Sequence, residues 1–127
     1  MTIDYAAAGD LLERYGHAWE AFNGDDWVDL FTDDVEYHED PFEPPLVGHN
    51  AVRAYLLKAA ELQEEVSFTV ERHWVVDPTV LAAWHATYIQ RSDRAGVRLA
   101  GFMTLEMRDG KIARLRKWYH RRSSAAG

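Results

Sequence analysis

Residues 23–48 read Asn23-Gly-Asp-Asp-Trp-Val-Asp-Leu-Phe-Thr-Asp-Asp-Val-Glu-Tyr-His-Glu-Asp-Pro-Phe-Glu-Pro-Pro-Leu-Val-Gly48 and pass through three structural states. The Asn23-Gly24 pair is typical of a helix end, and Asp25 or Asp26 can cap a short second helix. Residues 35–39 alternate as a strand does, and a proline-rich turn follows. The strand therefore ends near Asp40, a carboxylate that directly precedes a proline.

Composition limits the possible classes of protein. The 127 residues predict one domain, 1–127, large enough to bury roughly two thirds of its unfolded surface. The chain has no cysteine, which excludes disulfides and thiolate sites and favours a cytoplasmic location. No apolar run reaches the roughly 18 to 20 residues of a membrane span, and the N-terminus lacks a signal peptide's features. The net charge of −7 opposes nucleic acid and anionic lipid. We expect neither as a partner.

Periodicity divides the rest of the chain into helices and strands. Apolar residues at helical spacing predict helices over residues 5–22 and 50–63. The period then changes to two and predicts four long strands, over residues 66–76, 80–91, 97–108 and 111–121. Strands of this length must twist and curl, so that helices can cover a concave face and form a cone. A flat helix-on-sheet sandwich is the alternative, and residues 123–127 are predicted to be a disordered tail.

This order of signals resembles the nuclear transport factor 2-like superfamily, in particular its SnoaL-like polyketide cyclase and ketosteroid isomerase branches. The shared pattern is a helix, Gly-Asp, Trp, Leu-Phe, Asp-Asp, Asp-Pro, Gly and Tyr, then four strands with Asp-Gly-Lys-Ile before the last. The resemblance covers nearly the whole chain. It implies an α+β, cone-shaped fold in which N-terminal helices pack on the concave face of a strongly curved, mostly antiparallel sheet. It also implies a homodimer through the outer face of that sheet.

Asp40 is the predicted catalytic base, because it matches the position where ketosteroid isomerases place theirs. A carboxylate fixed by a proline and ringed by Tyr37 and Phe42 would be partly desolvated, and its raised pKa would suit proton abstraction next to a carbonyl. His38 shares its strand face and could assist it. The alternatives are that Asp40 only caps the turn and that His38 is solvated. Two residues supply at most two ligands, so no metal site is predicted.

Aromatic side chains are the predicted lining of a pocket. Five Trp, six Tyr and five Phe indicate either an aromatic-lined cavity or a heavily aromatic core. The pattern leaves open which face of each strand looks inward, and ordinary core packing is the alternative reading. The candidate substrate-binding residues are Tyr15, Trp19, Phe31, Tyr37, Phe42, Tyr55, Trp84, Tyr88, Phe102, Trp118 and His120.

Departures from the resembled enzymes limit the functional prediction. Tyr15 fits the helix tyrosine of ketosteroid isomerases only with a gap, and Gly101 or Phe102 falls where their strand acid belongs. Lys117 takes the place of the last-strand acid of limonene-epoxide-hydrolase-like members. No nucleotide fingerprint is present, so no cofactor is predicted.

The predicted function is cofactor-independent proton transfer on an apolar, carbonyl-bearing small molecule, with isomerisation, cyclisation or dehydration as the outcome. The alternative is a non-catalytic ligand-binding or dimerisation domain of the same fold. An enclosed pocket containing Asp40 or His38 would favour the enzyme. A cone filled by large side chains would favour the non-catalytic domain.

Overall fold

Side chains that cap helices determine where the first two helices begin. In the computed structural model, which describes residues 2–124, Asp4 accepts a hydrogen bond from the backbone N–H of Ala7 at 2.8 Å. Asn23 accepts one from the N–H of Asp26 at 3.1 Å, so Asn23 is the second cap. The prediction that Asp25 or Asp26 is this cap is wrong, because both lie in the first helical turn. The helices are α1 (Tyr5–Ala21), α2 (Gly24–Asp29) and α3 (His49–Leu62).

Six strands of the described chain form one sheet in the order β2-β1-β6-β5-β4-β3. β1 runs parallel to β6, and the other neighbouring pairs are antiparallel. The predicted α+β architecture with a mostly antiparallel sheet is confirmed. β1 starts at Phe31 rather than Val35, because Phe31 already lies opposite Ile112 of β6. The strands are β1 (Phe31–His38), β2 (Leu46–Val47), β3 (Gln63–Val76), β4 (Thr79–Gln90), β5 (Gly96–Arg108) and β6 (Lys111–Ser124).

Register shifts bend the sheet around α1. The pairing of β3 with β4 slips at Glu64/Ser67 and again at Val70/Arg72. Such bulges increase the local twist of a strand. In the concave face that results, the ring of Phe68 lies 5.3 Å from that of Tyr15 and 5.8 Å from that of Trp19. The sheet therefore wraps the helix as a cone and does not form a flat sandwich.

Alternate burial shows which face of the long strands looks into the cone. On β4 the inward residues Val80, Ala82, Trp84 and Ala86 are all buried. Register carries this face across β5 to β6, where Met103 lies opposite Lys117 and Leu105 lies opposite Leu115. The outer face of the same strands is only partly covered, with Phe102 and Trp118 exposed.

Residues 123–127 are predicted to be a disordered tail, and the structure describes the first two of them. Ser123 and Ser124 belong to β6 and pair with β5, so these two residues are not part of a disordered tail. Residues 125–127 lie outside the described residues. None of the helices within residues 2–124 has both the length and the apolar character that crossing a membrane requires.

Gly101 lies in the middle of β5 because its two neighbours need the space of a side chain. It stands opposite Trp84 on β4 and Tyr119 on β6. A Cβ at this position would overlap the carbonyl oxygen of Trp118, and it would lie 2.7 Å from the Cβ of Tyr119 and 3.0 Å from Cζ2 of Trp84. The glycine thus leaves room for the Trp84 indole beside the β5 backbone.

We predict that Gly101→Ala lowers the free energy of unfolding by about 2 kcal/mol, since the added methyl group meets backbone and cannot be accommodated by rotating a side chain. Gly9→Ala is the matched control, because a Cβ there would lie 3.5 Å from the His73 ring, an ordinary contact. That substitution should be neutral or stabilising by up to about 1 kcal/mol, through helix propensity. Urea unfolding measures both. Equal stability of the two variants would contradict the packing described for Gly101.

Candidate functional site

The end of β1 directs a carboxylate into the cone. Successive side chains of a strand point to opposite faces, and Val35 and Tyr37 are both fully buried on the inner face. Glu39 follows Tyr37 by two residues and shares this direction, and its side chain is 29% exposed. It therefore lies at the rim of the interior, with one side toward solvent.

Lys117 of β6 forms an ion pair with this carboxylate. It is 6% exposed and lies between Leu115 and Tyr119 on the inner face of the strand. Its Nζ atom is 2.8 Å from Oε2 of Glu39. A lysine this deeply buried is rarely found without a partner, because removing an ammonium from water costs several kcal/mol.

Two tyrosines complete the coordination of the carboxylate. The hydroxyl of Tyr55 on α3 donates to Oε2 of Glu39 at 2.5 Å, and the hydroxyl of Tyr119 donates to Oε1 at 2.6 Å. Lys117 also donates to the Tyr55 oxygen at 3.3 Å. Both carboxylate oxygens are therefore hydrogen-bonded, so α3, β1 and β6 are joined at one point.

Five aromatic rings surround the Lys117 ammonium. Their centroids lie between 5.3 and 5.9 Å from Nζ, within the range in which a cation is attracted to a ring face. We call this group the aromatic cage. Its members are Trp19, Tyr37, Tyr55, Trp84 and Tyr119.

The site holds one positive and one negative charge at neutral pH. Burial alone would lower the pKa of Lys117, but its neighbours Tyr15, Tyr55 and Glu39 outweigh burial and hold that pKa well above its ordinary value. Partial burial raises the pKa of Glu39, yet the charge and hydrogen bond of Lys117, followed by the bonds from Tyr119 and Tyr55, lower it overall. Lys117 is therefore cationic and Glu39 anionic.

The tyrosines of the site are neutral hydrogen-bond donors. Burial raises the pKa of Tyr15, and it raises those of Tyr37 and Tyr55 further. Burial and the bond to Glu39 raise the pKa of Tyr119 to about 12. Each phenol therefore keeps its proton at neutral pH.

A small cavity lies beside the charge pair. Its volume is about 20 Å³, and its walls include Tyr15, Tyr37, Tyr55 and Lys117. The hydroxyls of Tyr15 and Tyr37 are 3.0 Å apart, so one donates to the other and the accepting phenol keeps its own proton to offer. This volume suits about one water-sized group. The cavity is thus large enough for a single oxygen atom of a ligand, with donors on several sides.

Trp84 brings a further donor to the same region. Its Nε1 is buried and has no hydrogen-bond partner among the described residues. The neighbouring ring atom Cζ2 lies over Gly101, so this edge of the indole faces the β5–β6 side of the cone. Buried donors without partners are uncommon in proteins.

Asp40 and His38, the predicted catalytic pair, lie outside the cone. Asp40 is exposed and its carboxylate accepts a hydrogen bond from the backbone N–H of Phe42 at 2.8 Å, which is the turn-capping arrangement. His38 contacts Glu36 at 3.3 Å. The prediction that Asp40 is desolvated among aromatic rings is wrong, because the inward positions of this segment are 35, 37 and 39.

Four predicted pocket residues also lie away from the interior. Phe42 is 93% exposed in the proline-rich turn. Phe102, Trp118 and His120 alternate with inward residues and so lie on the outer face of the sheet. The prediction that these three residues line the pocket is wrong, because it assigns the outer face of β5 and β6 to the interior of the cone.

The structure brings five of the predicted pocket residues together, namely Tyr15, Trp19, Tyr37, Tyr55 and Trp84. Phe31 is buried but packs edge-on against Trp27, away from the cavity. Tyr88 is half-buried and packs against the hydrophobic core.

Glu39 and Tyr119 are not among the residues predicted from the sequence to form the site, and Lys117 is noted there only as a departure from a family pattern. A signal for Glu39 was present, since it follows Val35 and Tyr37 at the period of a strand. Leu115, Lys117 and Tyr119 form a similar series on β6, in which a lysine interrupts an apolar and aromatic face.

The cone is otherwise filled by large side chains. The wider concavities lie elsewhere and are open to solvent; the groove between α1 and β3 has about 800 Å³, and one on the outer sheet face near His85 and Arg98 has about 740 Å³. Within residues 2–124, no group of three or more His, Asp or Glu side chains could hold a metal ion.

Comparison with known proteins agrees with this architecture. The sequence profile of the SnoaL-like domain family matches residues 12–115. No curated protein sequence matches the chain significantly.

Solved structures share the fold at low identity. The Δ5-3-ketosteroid isomerase from a Mycobacterium species has a TM-score of 0.80 at 13% identity, over 93% of this chain and 98% of its own. SalBIII, an epoxide hydrolase/cyclase-like enzyme of pyran ring formation in the polyether salinomycin, has a TM-score of 0.81 at 18% identity, over 92% and 93%. An LEH-like epoxide hydrolase from M. tuberculosis has a TM-score of 0.76 at 16% identity, over 91% and 84%.

We predict that Glu39→Gln lowers the free energy of unfolding at pH 7 by about 3 kcal/mol, because it leaves Lys117 as a buried, unpaired charge. The folded pKa of Glu39 lies below the ordinary value of 4.5, so the carboxylate stabilises the fold above that pH. Its contribution is lost as the pH falls through the folded pKa, and the difference between variant and parent should shrink there.

Asp40→Asn is the matched control, since it removes the neighbouring, exposed carboxylate and should change stability by less than about 0.5 kcal/mol. Chemical denaturation at pH 7 and pH 3.5 compares the three proteins. A Glu39→Gln variant as stable as the parent at pH 7 would contradict the charge pair.

Proposed function

Since the chain belongs to the SnoaL-like domain family, we propose that it is a cofactor-independent enzyme that moves a proton on a small, carbonyl-bearing molecule, with Glu39 as the base. The observation that carries the proposal is the buried Lys117–Glu39 pair beside an oxygen-sized cavity walled by tyrosine hydroxyls. The structural neighbours contribute the fold alone.

Glu39 is the carboxylate placed to take the proton. It is ionised, lies at the rim of the cone and is partly open to solvent, so a substrate carbon can approach it from outside. Asp40 is one residue further along and faces solvent, where nothing holds a substrate against it.

Lys117 compensates for the low basicity of a carboxylate that three donors stabilise. When Glu39 takes a proton from the carbon next to a carbonyl, the negative charge moves to the substrate oxygen as an enolate. The buried ammonium then has one anion beside it before and after the transfer. The stabilisation that Glu39 loses passes to the enolate, which Lys117 and Tyr55 can bind in its place.

The cavity between Tyr15, Tyr37 and Lys117 accepts the carbonyl oxygen in this scheme. One phenol of the tyrosine pair keeps a proton that it can donate to the substrate oxygen, because both phenols are neutral. The body of the substrate is larger than this cavity, so it lies at the rim, where Tyr119 and the exposed turn 40–44 must move to admit it.

A non-catalytic binding domain is the second candidate, and the filled cone favours it. The cavity beside the charge pair has a volume of about 20 Å³, and neither Asp40 nor His38 lines it. The two candidates differ in whether the protein accelerates a proton transfer.

We predict that the parent protein exchanges the α-protons of small cyclic ketones or 1,3-diketones for deuterium in D₂O, as followed by proton NMR. Glu39→Gln should lose at least about 10²-fold in rate, as expected for a general base, because its amide cannot take the proton. Asp40→Asn should keep the parental rate. Equal loss in both variants would argue against Glu39 as the specific base, and no exchange above the buffer rate with any compound would favour the binding domain.

We also propose that two copies associate through the outer sheet face. Trp74, Phe102 and Trp118 are 36%, 36% and 42% exposed there, and the rings of Trp74 and Phe102 are 6.1 Å apart. Exposed aromatic groups of this kind mark interaction surfaces.

For this assembly, Trp118→Glu should convert a dimer to a monomer in sedimentation experiments, because it places a charge in an apolar contact. Phe42→Ser is the control, since Phe42 is exposed in the proline-rich turn. A monomeric parent at tens of micromolar would contradict the dimer.

A further inference from the structure

The position that Glu39 occupies is built to hold a carboxylate. Lys117, Tyr55 and Tyr119 all donate to its two oxygens, and the donors belong to α3 and β6, while the carboxylate belongs to the residue that follows β1. The donor set thus persists without Glu39 itself. Charge-assisted bonds of this kind are roughly twice as strong as neutral ones.

The rest of the site favours an anion as well. The phenols of Tyr15 and Tyr37 hold a proton available to an acceptor. The ring of Trp84, whose buried Nε1 has no partner among the described residues, lies 5.9 Å from the Lys117 ammonium. Within residues 2–124, Lys117 is the cation that acts on Glu39 and on the surrounding tyrosines. The titratable groups facing it are Tyr15 from α1, Tyr37 and Glu39 from the β1 segment, Tyr55 from α3, and Tyr119 from β6.

We propose that the Lys117 site binds one small organic carboxylate, which takes the place of the Glu39 side chain on Lys117, Tyr55 and Tyr119. The inference rests on the site of the proposed function and names its ligand class, since a carboxylate, like an enolate, is a planar oxyanion with a delocalised negative charge. Glu39 is then the chain's own occupant of a site for external anions.

Because the Glu39 side chain is covalently attached next to the site, a simple anion should bind the parent protein only weakly. A side chain attached next to its own site competes at an effective concentration in the millimolar range or above. A free carboxylate without further contacts therefore displaces Glu39 poorly. Cutting the side chain back removes this competition and leaves the donors in place.

Formate is the probe, because it is a carboxylate small enough for the space that Glu39→Ala opens. At pH 7.5 we expect saturating formate to raise the melting temperature of Glu39→Ala by about 5 °C or more, through binding to the folded state. Formamide, the neutral analogue of similar size, should have no such effect, nor should sodium chloride at equal ionic strength. The parent should respond little to any of the three.

The double variant Glu39→Ala/Lys117→Met separates anion recognition from a general effect of formate. It lacks the buried cation, so formate should not stabilise it. If Glu39→Ala alone fails to fold while the double variant folds, the unpaired lysine is the cause, and formate should then restore the near-ultraviolet circular dichroism of the single variant. If both fail, the same comparison uses Glu39→Ser and Glu39→Ser/Lys117→Met, because a serine at this position also leaves space for formate.

Three results would overturn the inference: no response of Glu39→Ala to formate, an equal response to formamide, or an equal response of the double variant. None of them depends on turnover. If formate stabilises Glu39→Ala but the parent protein exchanges no α-protons, the anion site is supported and the proposed enzyme activity is rejected. If the parent exchanges α-protons but formate does not stabilise Glu39→Ala, only the anion site is rejected.

Discussion

The buried ammonium group of Lys117 determines which side chains the interior of the aromatic cone must contain. Removing a cation from water costs several kcal/mol, and a fold can contain it only if a counter-charge and hydrogen-bond acceptors surround it. Here Glu39 supplies the charge, and the Tyr55 oxygen and five ring faces supply the remaining contacts. The pairing of β1 with β6 places Tyr37 opposite Leu115 and so brings Glu39 next to Lys117. The sheet topology and the charge pair therefore require each other.

Much of the fold could be predicted because its signals are local. Helical spacing, the Asn23-Gly24 break and the period-two strands locate nearly every element, and the hairpin at Asp109-Gly110 positions the last strand. Boundaries such as the start of β1 depend on pairing with a distant strand, which no local pattern contains. The length of the strands predicts that the sheet is curved. It does not predict where the bulges at Glu64/Ser67 and Val70/Arg72 lie.

The site was harder to predict, because one step along a strand reverses the direction of every side chain. Tyr15, Trp19 and Tyr55 were identified correctly as interior residues, since a helix has a single buried stripe. Glu39 and Asp40 differ by one position, and the proline after Asp40 directed attention to the wrong carboxylate. On β6 both faces mix aromatic and charged residues, so the choice of Trp118 over Lys117 had no support from the alternation itself.

The same charge pair connects stability with the proposed chemistry. A carboxylate that accepts hydrogen bonds from Lys117 and two phenols is a weak base. It can abstract a proton from a substrate only if the substrate oxygen accepts the hydrogen bonds from those donors as the proton is transferred. An interior that keeps one cation and one anion throughout achieves this without a metal or a cofactor in the proposed scheme. The cavity beside the charge pair has a volume of only about 20 Å³, so in the proposed scheme the entry of a substrate requires movement, whereas the charges are already in place.

Whether Lys117 is a buried cation can be measured directly. ¹H–¹⁵N NMR of the lysine side chains, in protein labelled at its lysine nitrogens, reports the protonation state of Lys117. Lys58 and Lys111, both more exposed, serve as internal references, and Lys117→Met assigns the signal. We predict that the Lys117 ammonium signal persists above pH 10.5, beyond the ordinary lysine pKa, and that its protons exchange slowly with water. A Lys117 that titrates below pH 10, or that exchanges as fast as Lys58, would contradict a buried cation held by Glu39.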